Sequence, residues 1–473
     1  MDYFPGILFL IFSATILFFI FRKYKLRDYK QALYAIILLG LILRIYTASD
    51  PFLHKWDERY HALVAKNMLE DPFVPKLYKE AVLDYNYKDW AANHIWVHKQ
   101  PVPLWNIMFS FKVFGVNEFA LRLPSLLLSS LMILLVFLIG KRLYSEKIGI
   151  ISAFFSSVNG LIIELGAGRV ATDHIDIHFA VYICLSVYFL IKYHDGDGFI
   201  YNLLAALAIS LAILSKWLPA LIVLPIWLLL AKRQKRTIRE SWVAFFIFCI
   251  LTTLIILPWQ IYILDKFPLE ASWEFEYNRK HITEVLGEHS GGIGYYFTKL
   301  RIQYGELIYL PLLGLIWAIW KKRAKRIDLI ILFIWLIIPF IFFTIVKTKM
   351  KAYLLFTSPA IFLIIALFIN FLDYWKRKIR RRDILMLIQV LFILLALRYC
   401  FERVKPFQKV NQEVLNRISR YRTYPPNTVV FNENYYVEAM FYSECIAVYP
   451  FKPSQEQVEI VKAKGYQVIV EPD

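Results

Sequence analysis

Long apolar runs, each near the length needed to cross a bilayer, alternate along this chain with polar connections. They predict about twelve helices, near 4–21, 31–48, 122–140, 147–165, 175–191, 200–214, 217–231, 241–264, 306–320, 327–346, 352–372 and 383–400. The pair 200–214 and 217–231 is short and is interrupted by Ser215-Lys216, so it reads as a hairpin that stops short of a full crossing. Alternate connections are basic: Arg22 to Lys30, Lys141 to Lys147, Lys232 to Arg239, Lys321 to Arg326 and Lys376 to Arg382. The positive-inside rule puts these in the cytoplasm. The connection 192–199 is the weak member of the set, with Lys192 set against Asp195 and Asp197. The segments 49–121, 165–174, 265–305, 346–351 and 401–473 then face outward.

Two polar insertions break the alternation. The first outer loop, 49–121, holds an amphipathic stretch, Tyr60 to Leu69, with Leu63, Val64, Met68 and Leu69 to one side. That pattern predicts a helix lying flat at the membrane interface. In the tail, Thr428–Phe431, Ile446–Tyr449 and Tyr466–Val470 read as strands. A helix from Ser454 to Lys464 lies between the last two, with a serine start and a Gly465 stop. The expected fold class is therefore an all-α polytopic membrane bundle over 1–400 with interfacial helices in its first outer loop. A small α/β domain follows over 401–473.

Composition narrows the class. The chain has 473 residues, 59% hydrophobic and 17% aromatic, with a mean hydropathy of +0.50, too apolar for a soluble domain. The run Phe4 to Phe21 reads as a retained helix, a pattern it shares with an uncleaved signal-anchor. The net charge of +18 is spread over clusters between spans, which argues for membrane orientation and against nucleic acid. Cys184 and Cys249 fall within spans, and a bridge between Cys400 and Cys445 stays open.

Ionisable residues at a membrane edge are costly and mark function by default. An acidic pair, Asp57-Glu58, lies in His54-Lys55-Trp56-Asp57-Glu58-Arg59-Tyr60, and Asp173-His174-Ile175-Asp176 opens a later span. Between them come His98-Lys99-Gln100-Pro101-Val102-Pro103-Leu104-Trp105 and Gly115-Val116-Asn117-Glu118-Phe119-Ala120-Leu121-Arg122-Leu123-Pro124-Ser125. Then follow Arg169-Val170-Ala171-Thr172-Asp173, Ser215-Lys216-Trp217, Leu257-Pro258-Trp259, Glu288-His289-Ser290-Gly291 with Tyr295-Tyr296, and Lys349 to Leu355. This ordered set, over roughly 30–372, resembles the GT-C glycosyltransferases that use polyprenyl-phosphate sugars, nearest to the lipid A aminoarabinose transferases and protein O-mannosyltransferases. Gln100 stands where that pattern has a proline, as do Phe356 and Thr357.

The resemblance implies an integral-membrane enzyme, probed by asking what its chemistry needs. An acceptor hydroxyl must lose a proton as it attacks the anomeric carbon, which calls for a carboxylate base. Asp57 is the candidate, with Glu58 beside it and Asp173 as the second acidic position of the resemblance. The leaving phosphate needs a cation. Lys99 matches the family's phosphate-contacting lysine, and Arg279 and Lys280 are looser matches. Arg59, Tyr60, Arg122, His289 and Tyr295 are candidate substrate contacts. The resemblance fixes no cofactor, and Asp57, Asp173, His174 and His178 form a candidate divalent-metal set, the histidines being four apart. Plainer readings exist for each. The acids favour helix N-termini, Arg122 snorkels at a helix end, and the Tyr and Trp residues form an interfacial belt.

The expected reaction moves one sugar, with inversion, from a polyprenyl-phosphate carrier to a glycolipid, glycan or protein hydroxyl. It would occur on the outer face of a bacterial inner membrane, where no nucleotide-sugar loop is needed. A secondary transporter is the alternative from another class. It would place its ionisable residues along a midplane path on broken helices, and only Ser215-Lys216 fits. A lipid-linked oligosaccharide ligase is a further rival, against which the first loop's succession of Asp-Glu, Lys and Pro speaks.

Overall fold

The computed structural model describes residues 4–233, 237–321, 325–376, 382–404 and 412–472. Parts of three expected basic connections, at 234–236, 322–324 and 377–381, lie outside the described residues, as does 405–411 of the expected tail domain.

The chain is a multi-pass membrane protein. It begins with a hairpin of α1 (Phe4–Lys25) and α2 (Tyr29–Thr47), in which Asp28 caps α2 by accepting from Gln31 N at 3.2 Å. The first long loop carries α3 (Asp57–Asn67) and α4 (Pro101–Phe114), and leads into α5 (Glu118–Leu143). Next come α6 (Glu146–Ser157) and α7 (Gly160–Gly166), bent by 54° at their junction. The cause of that break is visible: Asn159 caps α7, and buried Arg44 of α2 donates to the Ser157 carbonyl at 3.1 Å. The central helix α8 (Asp173–Asp195) is followed by α9 (Ile200–Lys216) and, after a 3-10 turn at Leu218–Ile222, by α10 (Val223–Ala231). Beyond α11 (Ile238–Lys266) lie α12 (Pro268–Thr283), α13 (Tyr295–Tyr304) and α14 (Tyr309–Trp320), the last two bent by 115° around Gly305. Then come α15 (Arg326–Ile345), α16 (Ser358–Lys376) and α17 (Arg382–Arg403).

Among the described residues, eight helices are long and apolar enough to cross a membrane, or up to ten if each bent pair is one span. The expected spans 200–214 and 217–231 are the shorter apolar helices Ile200–Lys216 and Leu218–Ala231, so the count of about twelve includes these partial members. Burial separates centre from rim. The apolar windows of α8 and of Leu355–Lys376 are 78% buried, whereas that of α17 is 11% buried. Rim helices expose Phe12, Phe18, Phe246, Leu254, Leu387 and Leu394, as a lipid-facing surface does. α5 and α6 meet backbone to backbone, because a Cβ on Gly140 would stand 2.8 Å from Gly149 Cα. The connection 192–199 is accounted for by ion pairs: Arg142 binds Asp195 and Asp197 at 3.2 and 2.6 Å, and Arg233 binds Asp195 at 2.9 Å. Its acids neutralise neighbouring basic connections at the same end.

The tail contains α18 (Gln412–Tyr421), β1 (Thr428–Phe431), α19 (Tyr436–Tyr442), β2 (Ala447–Val448), α20 (Gln455–Ala463) and β3 (Gln467–Val470). The sheet is parallel, in the order β2-β1-β3, with Val429 opposite both Ala447 and Val468. Ser454 and Gln457 form a capping box at the start of α20. Cys400 and Cys445 are free and buried in different clusters, so the open bridge between them does not form.

One expectation is overturned. α3 does not lie flat on the membrane: apart from Asp57 and Arg59, all its residues are buried. The module covers its apolar side. Val429, Val430, Val437 and Met440 share one apolar cluster with Tyr60, Leu63, Val64 and Trp96 of the first loop. Lys66 reaches into the module and donates to the carbonyls of Met440, Phe441 and Ser443 at 3.1, 3.0 and 2.6 Å. The apolar face left open in this loop belongs instead to α4, through Phe109, Val113 and Phe114.

Candidate active site

Asp57 and Glu58 occupy the first turn of α3, where the helix dipole favours carboxylates, but the two side chains have different surroundings. Glu58 is fully buried. Its two oxygens meet Arg122 Nε and Nη2 at 2.8 and 3.1 Å, and His54 Nδ1 lies 2.6 Å from Oε2. Arg122 also donates to the Ala48 and Phe52 carbonyls, at 2.9 and 2.7 Å. Gly168 makes room for this cluster: its φ is +72°, and a Cβ there would overlap the Glu58 carboxylate. Burial pushes the Glu58 pKa up, but Arg122, His54 and His174 outweigh it and hold the carboxyl well below its usual range. Glu58 is therefore a buried anchor of the loop.

Asp57 keeps part of its surface open. Its Oδ2 accepts the backbone N–H of Thr172, just ahead of α8, at 3.1 Å. Burial raises its pKa, yet the charges of Lys99, His61 and His98 and the Thr172 N–H together leave it lowered. Lys99 is the largest of these opposing influences and makes no ion pair among the described residues. An ionised carboxylate beside an uncommitted ammonium is what base catalysis next to a departing phosphate requires.

Further elements close on this point. Tyr353, in the loop between α15 and α16, feels the charges of Asp176 and Asp57 and the phenols of Tyr277 and Tyr295. Lys216, at the end of α9, lies 4.8 Å above its ring. α12 is pinned across the loop by one face: Glu270 accepts from Tyr85 at 3.0 Å, and Glu274 meets His98 Nδ1 at 3.0 Å from both oxygens. Tyr277 and His281 continue that face. His98 stacks on Trp90 at 4.9 Å. Burial and Lys99 lower its pKa despite Glu274, which favours the neutral imidazole.

Asp173 is fully buried and meets His61 Nδ1 at 2.9 Å. His174 binds Ser125 through Nδ1 at 2.8 Å, and His178 binds the His174 carbonyl through Nδ1 at 2.7 Å. The four candidate metal ligands thus take separate partners. Among the described residues no three His, Cys, Asp or Glu side chains converge as a metal site. The described residues do not fit the metal expected for them.

Several candidates serve other ends. Arg122 neither snorkels nor lines an open surface, being sealed against Glu58. Arg59 is bound to Glu438 of the tail at 3.1 Å, and the Tyr60 hydroxyl lies 3.0 Å from that of Tyr436. Arg279 points outward and pairs with Glu276 at 2.7 Å, while Lys280 sits 5.2 Å over Trp273. His289 is exposed, and its carbonyl accepts from Lys349 N at 2.8 Å. Tyr295 is half-buried near Tyr353. His54, His61, Glu270, Glu274 and Tyr277 were not among the expected site residues. For the α12 set, the signal was Glu270, Glu274, Tyr277 and His281 at helical spacing in a segment read as loop.

Solved structures share the fold. The chain superposes on ArnT from Cupriavidus metallidurans bound to undecaprenyl phosphate with a TM-score of 0.63 and 15% identity, over 92% of this chain and 88% of that one. The archaeal oligosaccharyltransferase AglB from Archaeoglobus fulgidus, in complex with an inhibitory peptide and a dolichol-phosphate, gives 0.61 at 14% identity, over 93% and 69%. The fold is GT-C. Residues 98–262 match the family described as dolichyl-phosphate-mannose-protein mannosyltransferase. Among curated relatives, an undecaprenyl phosphate-α-4-amino-4-deoxy-L-arabinose arabinosyl transferase of Pseudomonas fluorescens is 25% identical, over 67% of this chain and 56% of the relative. One of Yersinia pestis is 26% identical, over 70% and 57%. The GT-C chain thus spans under three-fifths of the length of these relatives.

Proposed function

We propose that this chain is a membrane glycosyltransferase that moves a sugar from a polyprenyl-phosphate carrier to an acceptor hydroxyl. Asp57 takes the proton from the hydroxyl as its oxygen attacks the anomeric carbon. The bond to the lipid phosphate breaks with inversion, and Lys99 balances the charge left on that phosphate. Glu58 and Arg122 hold the loop on which the base stands. The observation that carries this reading is a partly open, ionised Asp57 under the charge of Lys99, which makes no ion pair among the described residues, where α3, α8, α12 and the 346–353 loop meet. The names of the relatives support it, since they are transferases that use lipid-phosphate sugars. The transporter alternative gains no comparable support.

The reaction belongs on the outer face of a bacterial inner membrane, the side opposite the basic connections. A glycolipid, a glycan or a protein hydroxyl is the acceptor. The test is purified protein in nanodiscs, given undecaprenyl-phosphate aminoarabinose or dolichyl-phosphate mannose, with release of free lipid phosphate as the readout. Wild type should release it in the presence of acceptor and Asp57→Asn should not; equal release by both overturns the assignment. Mass spectrometry of envelope glycolipids and glycoproteins from a deletion strain identifies the missing sugar and its acceptor.

A further inference from the structure

Two non-glycine residues near the site adopt the positive-φ backbone that side chains disfavour. Thr172, at the start of α8, has φ 66° and ψ −7°, and Trp217, at the end of α9, has φ 66° and ψ −152°. For a β-branched threonine this is a genuine outlier, and such strain persists only where surrounding contacts impose it. The contacts are present and point the same way. Thr172 Oγ1 donates to Asp176 Oδ2, one turn into α8, and Lys216 Nζ, the residue before Trp217, donates to Asp176 Oδ1. The Asp176 carboxylate is thus held from both sides, almost wholly buried. In the conformation so fixed, the Thr172 N–H faces Asp57 Oδ2 at 3.1 Å.

We infer that the buried Asp176–Lys216 pair positions the base Asp57, acting through the strained backbone of Thr172. Lys216 is a positioning residue in this scheme, with no contact to the reacting atoms. Without its ammonium, Asp176 is a lone buried carboxylate, which takes up a proton or reorients. Either change loosens its hold on the Thr172 hydroxyl. The strained turn can then relax, and its N–H swings away from Asp57. The other groups that act on Asp57 are His61 on α3, His98 and Lys99 ahead of α4, Tyr277 on α12, and Tyr353. None of these bonds to Thr172 among the described residues, so loss of the N–H has its own signature.

This inference rests on the reading of Asp57 as the base, and two measurements keep the two apart. Infrared difference titration of the Asp57 carboxyl, with Asp57→Asn as the blank, reads its protonation in nanodiscs without substrate. In Lys216→Met and in Thr172→Ala the band should titrate about one pH unit higher than in wild type, since a hydrogen bond to the charged form is gone. Lys216→Arg and Thr172→Ser should titrate as wild type does, and the threonine pair decides the matter if Lys216→Met does not fold. An unshifted band in both Lys216→Met and Thr172→Ala overturns the inference whatever the activity. In the transfer assay, Thr172→Ala should lose about a hundredfold in kcat, as for an ångström of misplacement, with little change in donor KM. Full turnover by Asp57→Asn instead overturns the base reading and leaves the titration result standing.

Discussion

Arg122 grips Glu58 through two nitrogens, at 2.8 and 3.1 Å, with both side chains fully buried. The pair lies behind Asp57, so adjacent carboxylates in the sequence have divided into an anchor and a working group. Removing one partner strands the other's charge in the interior. Glu58→Gln or Arg122→Met should therefore cost about 3–5 kcal/mol, measured as a fall in melting temperature of the nanodisc-embedded protein. Gly168→Ala should be damaging as well, because φ is +72° and the new methyl meets the same carboxylate. A stable Gly168→Ala protein contradicts this packing.

Lys99 acts on Asp57 and, in the proposed reaction, on the leaving phosphate. Its loss should appear twice in the kinetics. Lys99→Ala should raise the KM for the lipid donor, and the acid limb of the kcat/KM profile should move to higher pH, because Lys99 helps hold Asp57 below its ordinary 3.8. In the wild-type protein Asp57 is then already ionised across neutral pH, and turnover falls only as the pH drops through its lowered value. A pH series on both proteins checks the direction.

His54 bridges Asp50 and Glu58, at 3.0 and 2.6 Å, and the two acids overcome burial to raise its pKa above 6.5. Its stabilising contribution is fully present below pH 6.5 and is lost as the pH rises through the raised value. The melting temperature should decline over that alkaline window, and His54→Asn should flatten the decline.

Arg279→Ala should leave turnover and donor KM unchanged, since the guanidinium is exposed and pairs with Glu276. A rise in donor KM from that substitution would bring α12's outer face into the site.

Much of this architecture could be read locally. A membrane span is a property of one uninterrupted apolar run, so α5, α8, α11 and α15 were legible from their own residues. Asp57 and Lys99 stood out in the sequence as well, through the motifs around them. What escaped depends on partners distant in the chain. The amphipathic pattern of α3 is the same whether membrane or protein covers it, and the cover begins at Gln412 and reaches α3 through Tyr436, Glu438 and Met440. Arg122 at a helix end looks identical whether it snorkels or seals an ion pair. The inner face of α12 was lost because the polar residues that pin it made the segment look like a loop.

The clamp of Lys66 onto the Met440 carbonyl spans 374 residues of sequence. A ribosome therefore finishes the segment bearing Asp57 long before it makes the piece that covers it. Until that piece is made, α3 is held only by its contacts with the bundle, such as Glu58 with Arg122 and Asp57 with the Thr172 N–H. The helix that carries Asp57 therefore gains its cover only once residues 436–443 have been made.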